Sequence, residues 1–226
     1  MGIFLLKRGA RLGLFSIIAL LLVITAIFAL RKPELDFDPF VGRAILPPVK
    51  IPPFNLTNHR GQPFNSGSLL GHWTLATIGF TYCPDICPTT LMEMAALFTK
   101  LEGMPGYGRA PEFVFLTVDP FRDTPEELGK YVTYFHKSFV GVTGKPKNIH
   151  KLVTELGLYY SYTDPEDDHS LDDVLHRPAI EDYGVTHSIR VLIISPQAQL
   201  VAIMSPPFTP DKCVSVLKKL RTFYGD

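Results

Sequence analysis

Cysteine is scarce, with three in a chain of 226 residues, too few for a disulfide-stapled scaffold. Net charge is missing too. Lys plus Arg and Asp plus Glu stand at 22 each, so no global field draws the chain to a phosphate backbone, and no nucleic-acid partner is expected. Charged residues make up 19% against 46% hydrophobic, which excludes intrinsic disorder. The composition is equally foreign to a collagen-like repeat and to a polytopic membrane protein. No internal repeat or low-complexity tract is visible.

One long apolar run is present. From Leu12 to Leu30 the chain carries no charge and is dominated by Leu, Ile, Ala, Val and Phe. As a helix at about 1.5 Å per residue it spans roughly 28 Å, close to the hydrocarbon thickness of a bilayer. A cleaved signal peptide has a shorter apolar region, roughly 7–15 residues, ending in small residues at −3 and −1. Ala29 and Ala26 have Ile27 and Ile24 at −3, so an uncleaved anchor over residues 1–32 is expected. Lys7, Arg8 and Arg11 precede the span and Arg31 and Lys32 follow it. That asymmetry points to a cytoplasmic amino terminus with the domain outside. Pro33, Pro39, Pro47, Pro48, Pro52 and Pro53 then predict an extended linker over 33–53, because each ring fixes φ and restrains the residue before it.

Residues 54–226 suit one domain. Phe54 to Phe64, turning at Gly61-Gln62, predicts a short hairpin. Apolar runs at Trp73–Phe80 and Phe113–Val118 predict buried strands. Between them Leu91, Met94, Ala95 and Phe98 make one stripe of a helix from about Pro88 to Leu101. Met92 and Met94 are expected in the core. Thr124, Pro125 and Glu127 read as N-cap, first helical residue and capping-box partner of a helix to about His136. A helix over 146–156, strands at 158–162, 189–194 and 200–204, and a final helix from Thr209-Pro210 complete the pattern. The order is that of an α/β fold, a thioredoxin-like sandwich with an N-terminal hairpin and an insertion, preceded by one transmembrane helix.

Cys83 and Cys87 lie in TYCPDICPTT, between a strand end and a helix start, where open α/β sheets place their sites. With Pro88 at the first helical position, Cys87 falls at the cap, where the helix terminus favours thiolate. The spacing lets both sulfurs face one metal ion or each other. Zinc wants a second closely spaced ligand pair, and none exists. Cys213 has Leu217 and Leu220 at +4 and +7, the spacing of a packed thiol. Two sulfurs needing one more donor suit Cu(I), which prefers few, soft ligands. Of seven histidines, His187 stands apart, in DYGVTHS immediately before a strand. In a thioredoxin-like arrangement that loop abuts the cysteine loop.

FTYCPDICP, LTVDPFRDTPEEL (Leu116 to Leu128) and DYGVTHS together resemble the Sco/SenC family, membrane-anchored, thioredoxin-like copper-binding proteins of cytochrome c oxidase assembly. The motifs agree in order and spacing from about Phe54 to Tyr224. The resemblance implies that Cys83, Cys87 and His187 ligate copper, as Cu(I) and also as Cu(II), and that Asp119 lies near the site. It implies copper delivery to the dinuclear copper centre of cytochrome c oxidase subunit II or to another copper-accepting protein. With the anchor it implies the bacterial inner membrane with the domain in the periplasm, or the mitochondrial inner membrane facing the intermembrane space. Two rivals remain: a thiol–disulfide reductase using Cys83 and Cys87 on the acceptor's cysteines, and a copper or redox sensor. The chain departs from the pattern in an acidic insertion, Thr163 to Asp182, that carries His169 and His176. It reads as a solvated loop, a docking surface for a basic partner, or a weak second metal site.

Overall fold

The computed structural model describes residues 20–25, 35, 37, 41–105, 107–164, 170–171, 173–179 and 182–225. Residues 36–219 form one compact unit; 1–35 and 220–226 belong to another. The anchor expected over 12–30 lies outside the described residues except for 20–25, which are helical. No helix among the described residues is long and apolar enough to cross a membrane.

The strands are β1 (Gly42–Lys50), β2 (Asn55–Asn58), β3 (Pro63–Asn65), β4 (Thr74–Gly79), β5 (Glu112–Thr117), β6 (Val140–Thr143), β7 (Tyr160–Thr163), β8 (Ser170–Leu171), β9 (Gly184–His187), β10 (Val191–Ile194) and β11 (Gln199–Met204). The helices α1 (Ile86–Glu102), α2 (Pro125–Phe135), α3 (Pro146–Glu155) and α4 (Pro210–Tyr224) are interspersed with them. Eight strands form the main sheet in the order β1-β11-β10-β4-β5-β6-β2-β3. Its centre, β4-β5-β6, is parallel, joined by α1 and α2, and its flanks are antiparallel. Central strands are buried on both faces and so read as continuous apolar runs. In β5, Val114 and Leu116 face Ile149, Leu152 and Val153 of α3. Phe113 and Phe115 point the other way, to Phe98 of α1 and Tyr131 of α2 at ring separations of 6.3 and 5.6 Å. That period-two split makes the domain three layers, helices on both faces of one sheet.

Several expectations need revision. Part of the expected linker, residues 42–50, is β1, paired antiparallel with β11, so the folded unit starts before residue 54. Proline tolerates this because β1 is an edge strand, and Pro47 and Pro48 fall where its register breaks between Ala44 and Val49. Val140 to Thr143, a run too short to stand out in sequence, adds β6 beside β5. Met94 is fully buried, but Met92 is 56% exposed, because residues two apart on a helix cannot share a face. Thr124 accepts from the Glu127 N–H at 3.2 Å, whereas the Glu127 carboxylate turns to Lys130, so only half of the capping box forms.

The feature that matters most for the site is a second, three-stranded sheet, β8-β7-β9. The stretch before β10, expected as a loop, is strand β9, with His187 as its last residue paired to Tyr160.

Candidate metal centre

Strand β4 ends at Gly79, and the chain reaches α1 through Thr81 to Asp85. Gly79 is required there by close approach, since a Cβ would stand 2.7 Å from Cys87 Sγ. Helix α1 starts at Ile86, two residues earlier than Pro88 suggested. That shift changes which sulfur receives the helix terminus. Cys87 lies within the first turn and its N–H donates to Cys83 Sγ at 3.4 Å. Cys83 is therefore the sulfur whose thiolate is favoured, its pKa held well below the ordinary thiol range by donation from the Cys87 thiol and, more weakly, from the N–H groups of Asp85 and Cys87. Cys87 is pushed up by that same bond to Cys83, by burial and by the charge on Cys83. The expectation that Cys87 would be the stabilised thiolate is corrected accordingly.

His187 comes from the other sheet. Its Nδ1 lies 3.1 Å from the Ser188 carbonyl oxygen, which can only accept, so Nδ1 carries the proton and Nε2 keeps its lone pair. Nε2 lies 3.5 Å from Cys87 Sγ. The ligating atoms of Cys83, Cys87 and His187 all lie within 4.8 Å of one another, and no other such group occurs among the described residues. Cys87 is buried and Cys83 half-buried. Of the side chains around them, Tyr82 is 65% exposed and Ile189 38% exposed. Two sulfurs and one neutral imidazole nitrogen form a soft, low-coordinate donor set of the kind that suits Cu(I).

Asp119 is fully buried but is not one of this group. One carboxylate oxygen accepts from Arg122 Nε and the other from the Tyr183 hydroxyl at 2.6 Å. Asp123, also fully buried, accepts from the Thr81 N–H at 3.0 Å and from the hydroxyls of Thr81 and Thr117 at 2.5 Å each. Burial raises its carboxyl to about 6 against those bonds. Cys213 is fully buried in α4, and burial pushes its thiol up to about 12, as befits a packed thiol. In the insertion, His176 Nδ1 meets Asp173 at 2.6 Å, while His169 lies outside the described residues. The sequence reading missed Gly79, Thr81, Arg122, Asp123 and Tyr183. Arg122 and Asp123 were in view, inside LTVDPFRDTPEEL, but no spacing rule marks what they bind.

A family model described as SCO1/SenC matches residues 44–222. The mitochondrial SCO1 homolog 1 of Arabidopsis thaliana is 34% identical over 172 residues, covering 76% of this chain and 47% of that protein. The mitochondrial SCO2 homolog of Bos taurus is 35% identical over 63% of this chain and 49% of its own length. The chain thus spans about half the length of these mitochondrial relatives. Among solved structures, Arabidopsis thaliana ScoI with copper bound superposes with a TM-score of 0.65 at 33% identity, covering 75% of this chain and 97% of that one. Yeast Sco1 with copper bound gives 0.63 at 31% identity, covering 76% and 90%. With the three-layer fold and the gathered Cys83, Cys87 and His187, the match over nearly the whole described domain places this chain in the SCO1/SenC family.

Proposed function

We propose that the protein is a copper carrier that binds Cu(I) through the Cys83 and Cys87 thiolates and His187 Nε2. Its cargo passes by ligand exchange to the dinuclear copper centre of cytochrome c oxidase subunit II. The observation that carries the reading is the convergence of two sulfurs and one imidazole nitrogen within 4.8 Å of one another. Copper-bound relatives of the same fold support it. Cu(I) binding displaces the remaining thiol proton of Cys87, and oxidation of the pair to a disulfide abolishes binding, so loading is coupled to redox state. The uncharged run over 12–30 supports a membrane tether, in this reading to a bacterial inner membrane with the domain in the periplasm or, alternatively, to the mitochondrial inner membrane facing the intermembrane space.

Titration of the fully reduced chain with Cu(I) against a chromophoric chelator tests the binding step. One equivalent should bind tightly, and His187→Ala should weaken it. Incubation of the loaded protein with the apo, reduced copper domain of subunit II tests delivery. Tight binding without transfer would leave a sensor and sink the carrier.

The split between Cys83 and Cys87 favours a second reading, thiol–disulfide reduction of the acceptor. The Cys83 thiolate attacks a partner disulfide, forming a mixed disulfide and releasing one partner thiolate. Cys87 then loses its proton and attacks Cys83 Sγ, leaving a Cys83–Cys87 disulfide and a partner reduced by two electrons. Restoring the dithiol needs an external thiol reductant. Reduction of an oxidised acceptor by metal-free protein, abolished by Cys83→Ser, would establish this activity.

A further inference from the structure

The ligands of the site come from separate parts of the fold, Cys83 from the loop after β4 and Cys87 from the first turn of α1, and His187 from the end of β9 in the second sheet. Something must fix one sheet against the other. On its carboxyl side β9 is tied down by sequence, since three residues lead straight into β10 and Thr77 Oγ1 donates to the Arg190 carbonyl at 2.8 Å. On its amino side the second sheet is tied to the end of β5 by the Tyr162 hydroxyl, which donates to the Val118 carbonyl at 3.0 Å, and, next to β9 itself, by the side chains of Asp119 and Arg122. Arg122 follows β5 and reaches Tyr183, the residue before β9, donating from one terminal nitrogen to its carbonyl at 3.1 Å. Its guanidinium carbon lies over the Tyr183 ring, 3.8 Å from the ring centroid, and also packs against Tyr82 at 5.1 Å and Phe80 at 5.9 Å. The buried Asp119 orients both partners, accepting from Arg122 and from the Tyr183 hydroxyl. Phe80 in turn meets the His187 ring edge-on at 6.0 Å.

We infer that Arg122 is a positioning residue for His187: it locks the amino end of β9 to Phe80 and Tyr82 of the cysteine loop and so fixes the third ligand relative to the two sulfurs. This rests on the three-ligand copper reading above. Arginine is required rather than any cation, because Lys130-type point charges cannot stack on one ring, pair with a carboxylate and bond a carbonyl at once. The Arg122→Lys variant keeps the charge and loses the stacking.

The test is a double-mutant cycle in the full chain, read by Cu(I) competition titration. Arg122→Ala should lower affinity about tenfold when His187 is present, as loss of an outer partner of a metal ligand does. In a His187→Ala background the same change should leave affinity within about twofold. An equal loss in both backgrounds would show a general structural effect and overturn the proposal, as would no loss in either. Tyr183→Phe and Arg122→Lys run in the same cycle keep the test open where Arg122→Ala does not fold. Hydrogen exchange of the metal-free protein gives a readout independent of copper. Amides of Gly184 to His187 should lose protection in Arg122→Ala, and unchanged protection there overturns the positioning role even where the copper reading stands. A His187→Ala protein that binds Cu(I) like wild type defeats the copper reading, and this proposal with it.

Discussion

Replacing Gly79 by alanine probes how closely the site is built onto the end of β4. The added Cβ would stand 2.7 Å from Cys87 Sγ and 2.7 Å from a ring carbon of Phe115, where ordinary contact begins at 3.4 Å. Each neighbour must therefore retreat by about 0.7 Å. Phe115 is fully buried in a close-packed interior, and forcing it aside costs about 1–3 kcal/mol of stability. The sulfur faces a tighter limit, because metal sites hold their ligand distances to roughly 0.2 Å. A displacement of that size should cost about 10- to 100-fold in Cu(I) affinity, the range seen when a ligand is mis-set. Adding Phe115→Leu relieves only one of the two contacts. The double variant should recover part of the stability in urea unfolding, while its chelator-competition affinity stays low. Gly79→Ala with wild-type stability and affinity would refute the close-approach argument. Recovery of affinity by Phe115→Leu would show that the sulfur contact was irrelevant.

Three further changes separate local chemistry from packing. Asp123 has its folded-state pKa raised from 3.8 to about 6 by burial, so it favours folding when protonated, and that contribution disappears as pH rises from about 4 through 6. The difference is on the order of 3 kcal/mol. The urea-unfolding free energy of wild type minus that of Asp123→Asn should fall across this window and level off above it, and a flat difference would refute the shift. Metal-free protein should show one thiolate by ultraviolet absorbance well below neutral pH, from Cys83. Cys87→Ala removes its main donor and should move that titration upward; an unmoved titration would mean that the helix terminus alone sets it. Cys213→Ser puts a hydroxyl in a fully buried slot of α4 and should cost about 1–3 kcal/mol of stability. Its Cu(I) affinity should match wild type, and a lowered affinity would place Cys213 in the metal's path.

The parts of this structure that could be read from sequence are those whose cause is local. Strands β4, β5 and β10 are apolar because both faces are covered, and α2 announces itself through Thr124 and Pro125. Cys83 and Cys87 are recognisable because sulfur donors are rare and their spacing is one helical turn. His187 needed more than spacing: among several histidines it was its place before β10 that singled it out. The helix starts two residues before Pro88, so Cys87 lies inside the first turn beside Cys83 Sγ, and Cys83, with the Cys87 thiol as its main donor, is the more acidic sulfur, which the spacing around Pro88 does not reveal.

What could not be read is what joins elements distant in sequence. Gly-Val-Thr-His in β9 lacks an apolar alternation because its strand is half-covered, so it looks like a loop until Tyr160 to Thr163 lies beside it. Strand β1 looks like a proline-rich linker because its sheet partner, β11, is some 150 residues away in the chain. The same reason hides Arg122. In sequence it is one basic residue before a helix cap. Its meaning depends on Tyr183, which reaches it only after the second sheet has closed over the end of β5. Donor atoms carry their chemistry wherever they are placed, so a motif can reveal them. A residue that fixes the distance between donors on separate sheets has no chemistry of its own to display, and only the assembled fold shows which two parts it holds together.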